Sequence, residues 1–201
     1  MGTCYHQKTL DMNRNLLFVS TILLFISCSE KAARKESDQV QIKSVNTVSD
    51  PKQQKMETLK SSAPVDLEVL KNLLPETMND IKRTHYSVTS SMGYGMAHAD
   101  YEKNSKTGVR VTYYDCSGEA GAGIFESIYW NRLNQSKEDE TSTLKTINLA
   151  GARTIEKFDK ATKVTTFTFL ANEKILVIIS GTNVDPASLR ENIQKFQFKS
   201  I

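Results

Sequence analysis

The chain has 201 residues, 39% of them hydrophobic and 24% charged, with a formal charge of +3 at neutral pH. This composition excludes collagen-like, mucin-like and wholly disordered classes and fits one globular domain plus an appendage. Twenty-six Lys and Arg against 23 Asp and Glu leave no basic stripe able to release counterions, so nucleic acid is not an expected partner.

The first marked feature is an apolar run, Leu16 to Ser27, flanked by Arg14 and ending at Cys28. Its 12 residues fall short of the roughly 20 that a membrane-crossing helix needs, a deficit of about 12 Å. The layout is that of a signal peptide over residues 1–27. Met12 is the expected start, with residues 1–11 an upstream extension. A myristoylation motif fails because position 6 is His6 rather than Ser or Thr. Phe25-Ile26-Ser27-Cys28 resembles the lipobox of bacterial lipoproteins, with a small residue at the cleavage position, although Phe25 stands where leucine is usual. That resemblance implies that the Cys28 thiol receives a diacylglyceryl group and becomes the mature N-terminus. Two or more acyl chains, at about 0.8 kcal/mol per buried methylene, would hold the chain durably on a membrane. Of three cysteines, Cys4 and Cys28 belong to the presequence, which leaves Cys116 alone and no disulfide within the domain.

Residues 28–62 read as a lipidated N-terminus and flexible linker, since Ser29 to Ser62 contains no aromatic residue and mixes both charges. Such a coil of 34 residues spans roughly 30 to 35 Å. Lys31, Arg34 and Lys35 could touch lipid headgroups, but Glu30, Glu36 and Asp38 nearly cancel them.

Residues 63–201 are expected to form one domain. Leu67, Leu70, Leu73 and Leu74 have helical spacing ahead of Pro75. Strands are expected over residues 86–91, 95–102 and 107–115, the last with alternating Val109, Val111 and Tyr113. A turn at residues 103–106 would place Glu102 opposite Thr107 and His98 opposite Val111. Residues 117–134 read as the main helix, with Ile124 and Ile128, and Phe125 and Tyr129, four apart and Trp130 on the flank. Four further strands follow at 144–149, 153–158, 163–170 and 174–180, the last apolar enough for a central strand. Asp185-Pro186 opens a helix carrying Leu189 and Ile193, and Phe196 and Phe198 suggest a terminal strand. The expected class is α+β, an antiparallel sheet of about seven strands covered by two to three helices. In outline it resembles Mog1/PsbP-like or ferredoxin-like domains, an element order that implies no activity.

Several residues invite a chemical reading. Gly118, Gly121 and Gly123 open the main helix, where free amides could hold a phosphate. Their spacing matches no nucleotide-binding motif, so close packing of helix on sheet accounts for them better. Cys116, His98 and His85 suggest a metal or a thiol nucleophile, but the expected register puts His98 about 17 Å from Cys116, too far to share zinc. Asp100, Asp115 and Glu119 could form an acid-base pair, yet nothing in the sequence brings two together. Among the aromatic residues, Tyr114 and Trp130 are the candidates for a ligand or partner surface.

The segments LLPETMNDIKRT, GMAHADYE, VRVTYYDCSGEAG and ILVIISGTNVDPASLRENIQKF together resemble a set of uncharacterised bacterial envelope proteins. The resemblance implies a fold and supplies no catalytic residues. The resulting expectation is a lipid-anchored protein of the bacterial cell envelope, facing the periplasm or cell exterior, with a non-enzymatic binding or structural role. Its expected partners are the membrane, through the lipid on Cys28, and another envelope protein. No cofactor, metal ligand or catalytic residue is assigned. The alternative is a small-ligand carrier or a thiol or acid-base enzyme built on an aromatic cleft near Cys116.

Overall fold

The computed structural model of the protein describes residues 50–195. The apolar leader, Cys28 and the expected terminal strand at Phe196 and Phe198 lie outside them.

The chain begins with α1 (Pro51–Ser61) and α2 (Leu67–Leu73), each opened by an aspartate whose side chain accepts an amide of the first turn, Asp50 from Lys52 at 3.0 Å and Asp66 from Glu68 at 2.7 Å. A small hairpin, β1 (Thr77–Met78) and β2 (Ile81–Lys82), turns at Asn79-Asp80, both with positive φ. Then come β3 (His85–Ser91), β4 (Tyr94–Asn104) and β5 (Thr107–Asp115). The helical segment α3 starts at Gly118–Ile124 and continues as a π turn over Phe125–Tyr129 and a 3₁₀ turn over Trp130–Arg132. The strands β6 (Lys137–Glu138), β7 (Ser142–Leu149), β8 (Ala152–Asp159), β9 (Val164–Ala171) and β10 (Ile175–Thr182) follow, and α4 (Pro186–Lys195) ends the described chain.

The fold is α+β. Its main sheet has eight antiparallel strands in the order β3-β4-β5-β10-β9-β8-β7-β6, one more than the seven or so expected, because β6 is a two-residue strand with no periodicity to betray it. Two meanders thus meet at the β5–β10 pair, which is apolar on one face and turns from apolar (Tyr114, Leu176) to polar (Thr112, Arg110, Ser180) along the other. One face carries Ala97, Val111, Phe167, Val177 and Ile179 under α2 and α4, whose Leu70, Leu189 and Ile193 are fully buried. Buried tyrosines tie down the chain after α2: the Tyr101 hydroxyl donates to the Pro75 carbonyl at 2.6 Å and Tyr113 to that of Leu73 at 3.2 Å. The opposite face carries Leu176, Ile155 and Cys116 beneath Ala122, Phe125 and Tyr129 of α3 and Leu59 of α1.

Two expectations need correction. Residues 51–61 are not a flexible linker: Asp50-Pro51 starts a helix whose Leu59 is 1% exposed, so the folded body begins a full turn-and-helix before residue 63. The β4–β5 register is also shifted by one. Glu102 pairs with Gly108 and His98 with Thr112, because an irregularity between Glu102 and Asn104 leaves Lys103 as an extra residue. The turn is then only Ser105-Lys106, with the Asn104 side chain accepting the Lys106 amide at 2.9 Å.

Candidate functional site

On the α3 side the sheet is only partly covered, and the pairings sort its residues into three cross-strand rows. The first, Tyr114, Leu176 and Leu170, lies beneath α3. The second, Ser87, His98, Thr112, Ile178 and Thr168, is half-buried apart from Thr168, which is buried. The third, His85, Asp100, Arg110, Ser180 and Thr166, is the most open. Alternation explains the result: on β4, β5 and β10 the residues that face the other way, such as Ala97, Ala99, Val109, Val111, Val177 and Ile179, are apolar and packed, while these rows are mostly hydroxyls, imidazoles and an ion pair around Ile178.

The polar groups of this face bond to one another across the strands. Arg110 Nε donates to Asp100 Oδ1 at 2.6 Å, and this bond raises the guanidinium pKa. Thr166 and Ser180 hydroxyls lie 3.2 Å apart, and the His85 and His98 rings stand 6.3 Å apart at 44°. A depression of about 400 Å³ continues the face toward the β4–β5 turn, lined by Asp100, Glu102, Arg110, Ser180 and Thr182 among others. A second, of about 560 Å³, lies around Asn79, Asp80, Lys103, Asn183 and Asp185. Cys116, Tyr114 and Trp130 line neither. Among the described residues no group of three or more His, Cys, Asp or Glu is placed to hold a metal ion, and no helix is long and apolar enough to cross a membrane.

Each residue singled out in the sequence has a definite place. Cys116 is fully buried, and burial pushes its thiol up to about 12, with the neighbouring Asp115 adding to the rise. Such a thiol is uncharged at neutral pH and is a poor nucleophile. His98 pairs with Thr112, four residues short of Cys116 along β5, a separation of about 13 Å. Asp115 is 1% exposed and accepts the Val65 amide at 2.7 Å and the Ser117 amide at 2.9 Å. It therefore clamps the chain before α2 to the start of α3. Glu119 pairs with Lys60 of α1 at 2.9 Å. The structure brings none of the three carboxylates Asp100, Asp115 and Glu119 into a shared site.

Tyr114 and Trp130 are half-buried, and they have different neighbours. Tyr114 lies against Tyr94, ring centroids 6.0 Å apart, and burial raises its phenol pKa. Trp130 lies against Phe125 at 5.8 Å. Both border the second core cluster. Sequence reasoning missed α1, the carboxylates Glu126 and Glu173 that receive two of its lysines, and the pairing of the already noted Glu119 with the third. It also missed Glu156, buried at 6% exposure on the α2/α4 face and gripped by both nitrogens of the Arg190 fork. The Asp50-Pro51 pair, the same signature as Asp185-Pro186, was the available signal for α1.

Comparison with protein-family models, with curated protein sequences and with solved structures finds no match.

Proposed function

We propose that the chain is a lipid-anchored cell-envelope protein, acylated at Cys28, whose folded part is a non-catalytic binding module for another envelope component. The observation that carries this reading is the 12-residue apolar run ending at Cys28, too short to span a bilayer and placed well before helix α1 in the sequence. The lipid would hold the module at the periplasmic or outer face of a membrane, in an envelope-domain fold of the Mog1/PsbP-like or ferredoxin-like outline. Two features support a binding role over chemistry. The Cys116 thiol is buried, and Asp115 and Asp100 are engaged by backbone amides and by Arg110. The open rows of the sheet, with hydroxyls of Ser180, Thr166 and Thr112 beside Ile178, offer a broad hydrogen-bonding surface suited to another macromolecule.

Metabolic labelling of bacterial cells with an alkyne fatty acid tests the anchor. The wild-type chain takes up label and Cys28→Ala does not; equal labelling of the two ends the lipoprotein reading. A photocrosslinking residue at Thr112 tests the surface. A discrete protein adduct from position 112, absent when the crosslinker stands at Glu191 on α4, supports it, and equal yields from both positions count against it.

A further inference from the structure

The helix α1 is held on the molecule by little. Eleven residues is below the roughly 12 to 15 that a helix needs to persist alone in water, so α1 owes its helicity to what it sits on. Its apolar contribution is Leu59, 1% exposed, and the half-buried Met56 one turn before it. The remaining side-chain contacts are polar: Lys52 Nζ donates to Asn131 Oδ1 at 3.3 Å, and three lysines make ion pairs. Lys52 meets Glu126 at 2.5 Å, Lys60 meets Glu119 at 2.9 Å, and Lys55 meets Glu173. The three carboxylates come from α3 and from the β9–β10 turn, and they rim a groove whose floor is Cys116, Ala122 and Leu176, each fully buried. Exposed pairs of this kind are weak singly and screened by salt. Release would stop at a defined point, because Asp115 holds the Val65 amide just beyond α1 at 2.7 Å.

We propose that this acid-rimmed groove is a receptor for a basic amphipathic helix, with α1 as its resident occupant and gate. The partner it fits carries two apolar residues one turn apart, flanked by lysines at the spacing of Lys52, Lys55 and Lys60, and it enters when α1 leaves. The groove has apolar depth for two side chains and negative charge on its rim, the complement of that helix. This surface is separate from the open sheet rows and does not depend on acylation of Cys28.

Cys116 reports the state of the groove. In the full-length chain, modification by neutral iodoacetamide is followed by mass mapping of the Cys116 peptide, so that Cys4 and Cys28 do not interfere. Raising the salt from 50 mM to 1 M accelerates modification about tenfold. Lys52→Glu/Lys55→Glu/Lys60→Glu, changed only on the rim contacts, accelerates it at least as much at low salt, while far-UV circular dichroism keeps its strand signal. Adding Glu119→Lys/Glu126→Lys/Glu173→Lys restores protection. A synthetic peptide of residues 50–62 then protects Cys116 in the charge-reversed chain, with an affinity that falls as salt rises, and it binds the wild-type chain at least tenfold more weakly. Modification that ignores both salt and charge reversal, or that follows only global unfolding in urea, overturns the gate. Failure of the peptide to protect Cys116 in a charge-reversed chain that modifies rapidly overturns the receptor.

Discussion

Gly118, Gly121 and Gly123 stand within six residues on one helical segment, and the structure gives the first two different reasons to be glycine and the third none. A Cβ on Gly121 would lie 2.5 Å from the Cys116 carbonyl carbon, 2.6 Å from the Asp115 oxygen and 2.8 Å from the Cys116 Cα. All three are backbone atoms, so no side chain can rotate away. Ordinary contact begins near 3.4 Å, so α3 must lift by about 1 Å, which disturbs Ala122 and Phe125 in a packed interface. A Cβ on Gly123 meets nothing within 4 Å. Helix propensity favours alanine by about 1 kcal/mol at both sites. Overpacking against backbone costs about 3 kcal/mol, the upper end of the usual range. Gly121→Ala should therefore destabilise by about 2 kcal/mol, while Gly123→Ala should stabilise by up to about 1 kcal/mol. Gly118 has φ +75° with open space around it, so Gly118→Ala isolates backbone strain and should cost about 1 kcal/mol. Urea unfolding with a constant slope measures all three, and calorimetry should show melting temperatures moving about 3 °C per kcal/mol. A Gly121→Ala protein as stable as the wild type would refute the close-approach argument.

The pair of buried Glu156 and part-exposed Arg190 should behave asymmetrically. Lys145 stays 3.8 Å from the carboxylate, so Arg190→Met should cost only about 1 to 2 kcal/mol, and Glu156→Leu/Arg190→Met should recover most of it in the same urea assay. The acid limb of stability should depend on Asp139 and Asp159. The carboxyl of Asp139 is held below the usual range first by Lys137 and then by Thr141 and Ser142, and that of Asp159 by Thr162. A lowered folded pKa gives stability that is present above the ordinary aspartate value and is lost as pH falls through the folded one. Asp139→Asn should thus shrink the stability difference between pH 7 and pH 2 and leave the region above pH 6 flat; an unchanged acid limb would sink the assignment. Cys116→Ser should cost about 1 to 2 kcal/mol, because a hydroxyl replaces a buried thiol.

Most of the domain was legible in the sequence wherever period and punctuation agreed. Val109, Val111 and Tyr113 face the α2/α4 core as their alternation requires, and the apolar stretch 175–179 is a central strand, covered throughout on that face but on the other only at Leu176, with Ile178 half-buried in the open row. What escaped had a physical reason. Helix α1 contributes one buried side chain, so composition over residues 51–61 spoke of solvent, while the cap at Asp50 spoke of a helix. The cap was the better witness. The β4–β5 register failed because a single extra residue, Lys103, shifts the pairing without altering the alternation on either strand. Asp115 and Glu156 look like surface carboxylates in one dimension. Only the fold brings the Val65 amide, 50 residues away, and Arg190, 34 residues away, to them.

The two faces of the sheet differ in what holds them closed, and that difference locates where the molecule can move and bind. On the α2/α4 face the cover is fixed by Leu70, Leu189 and Ile193, each fully buried, and by tyrosine hydroxyls that bond to the chain after α2. Opening there would expose the main core, so it should occur only with global unfolding. On the other face α3 is anchored by Phe125 and by Tyr129, whose hydroxyl donates to the Arg153 carbonyl at 2.6 Å, whereas α1 rests on one buried leucine and three lysines. The least costly opening of the domain is thus the loss of α1, and it bares apolar surface on the same side as the open polar rows. Both candidate surfaces therefore lie on one side of the molecule, leaving the α2/α4 side to carry stability.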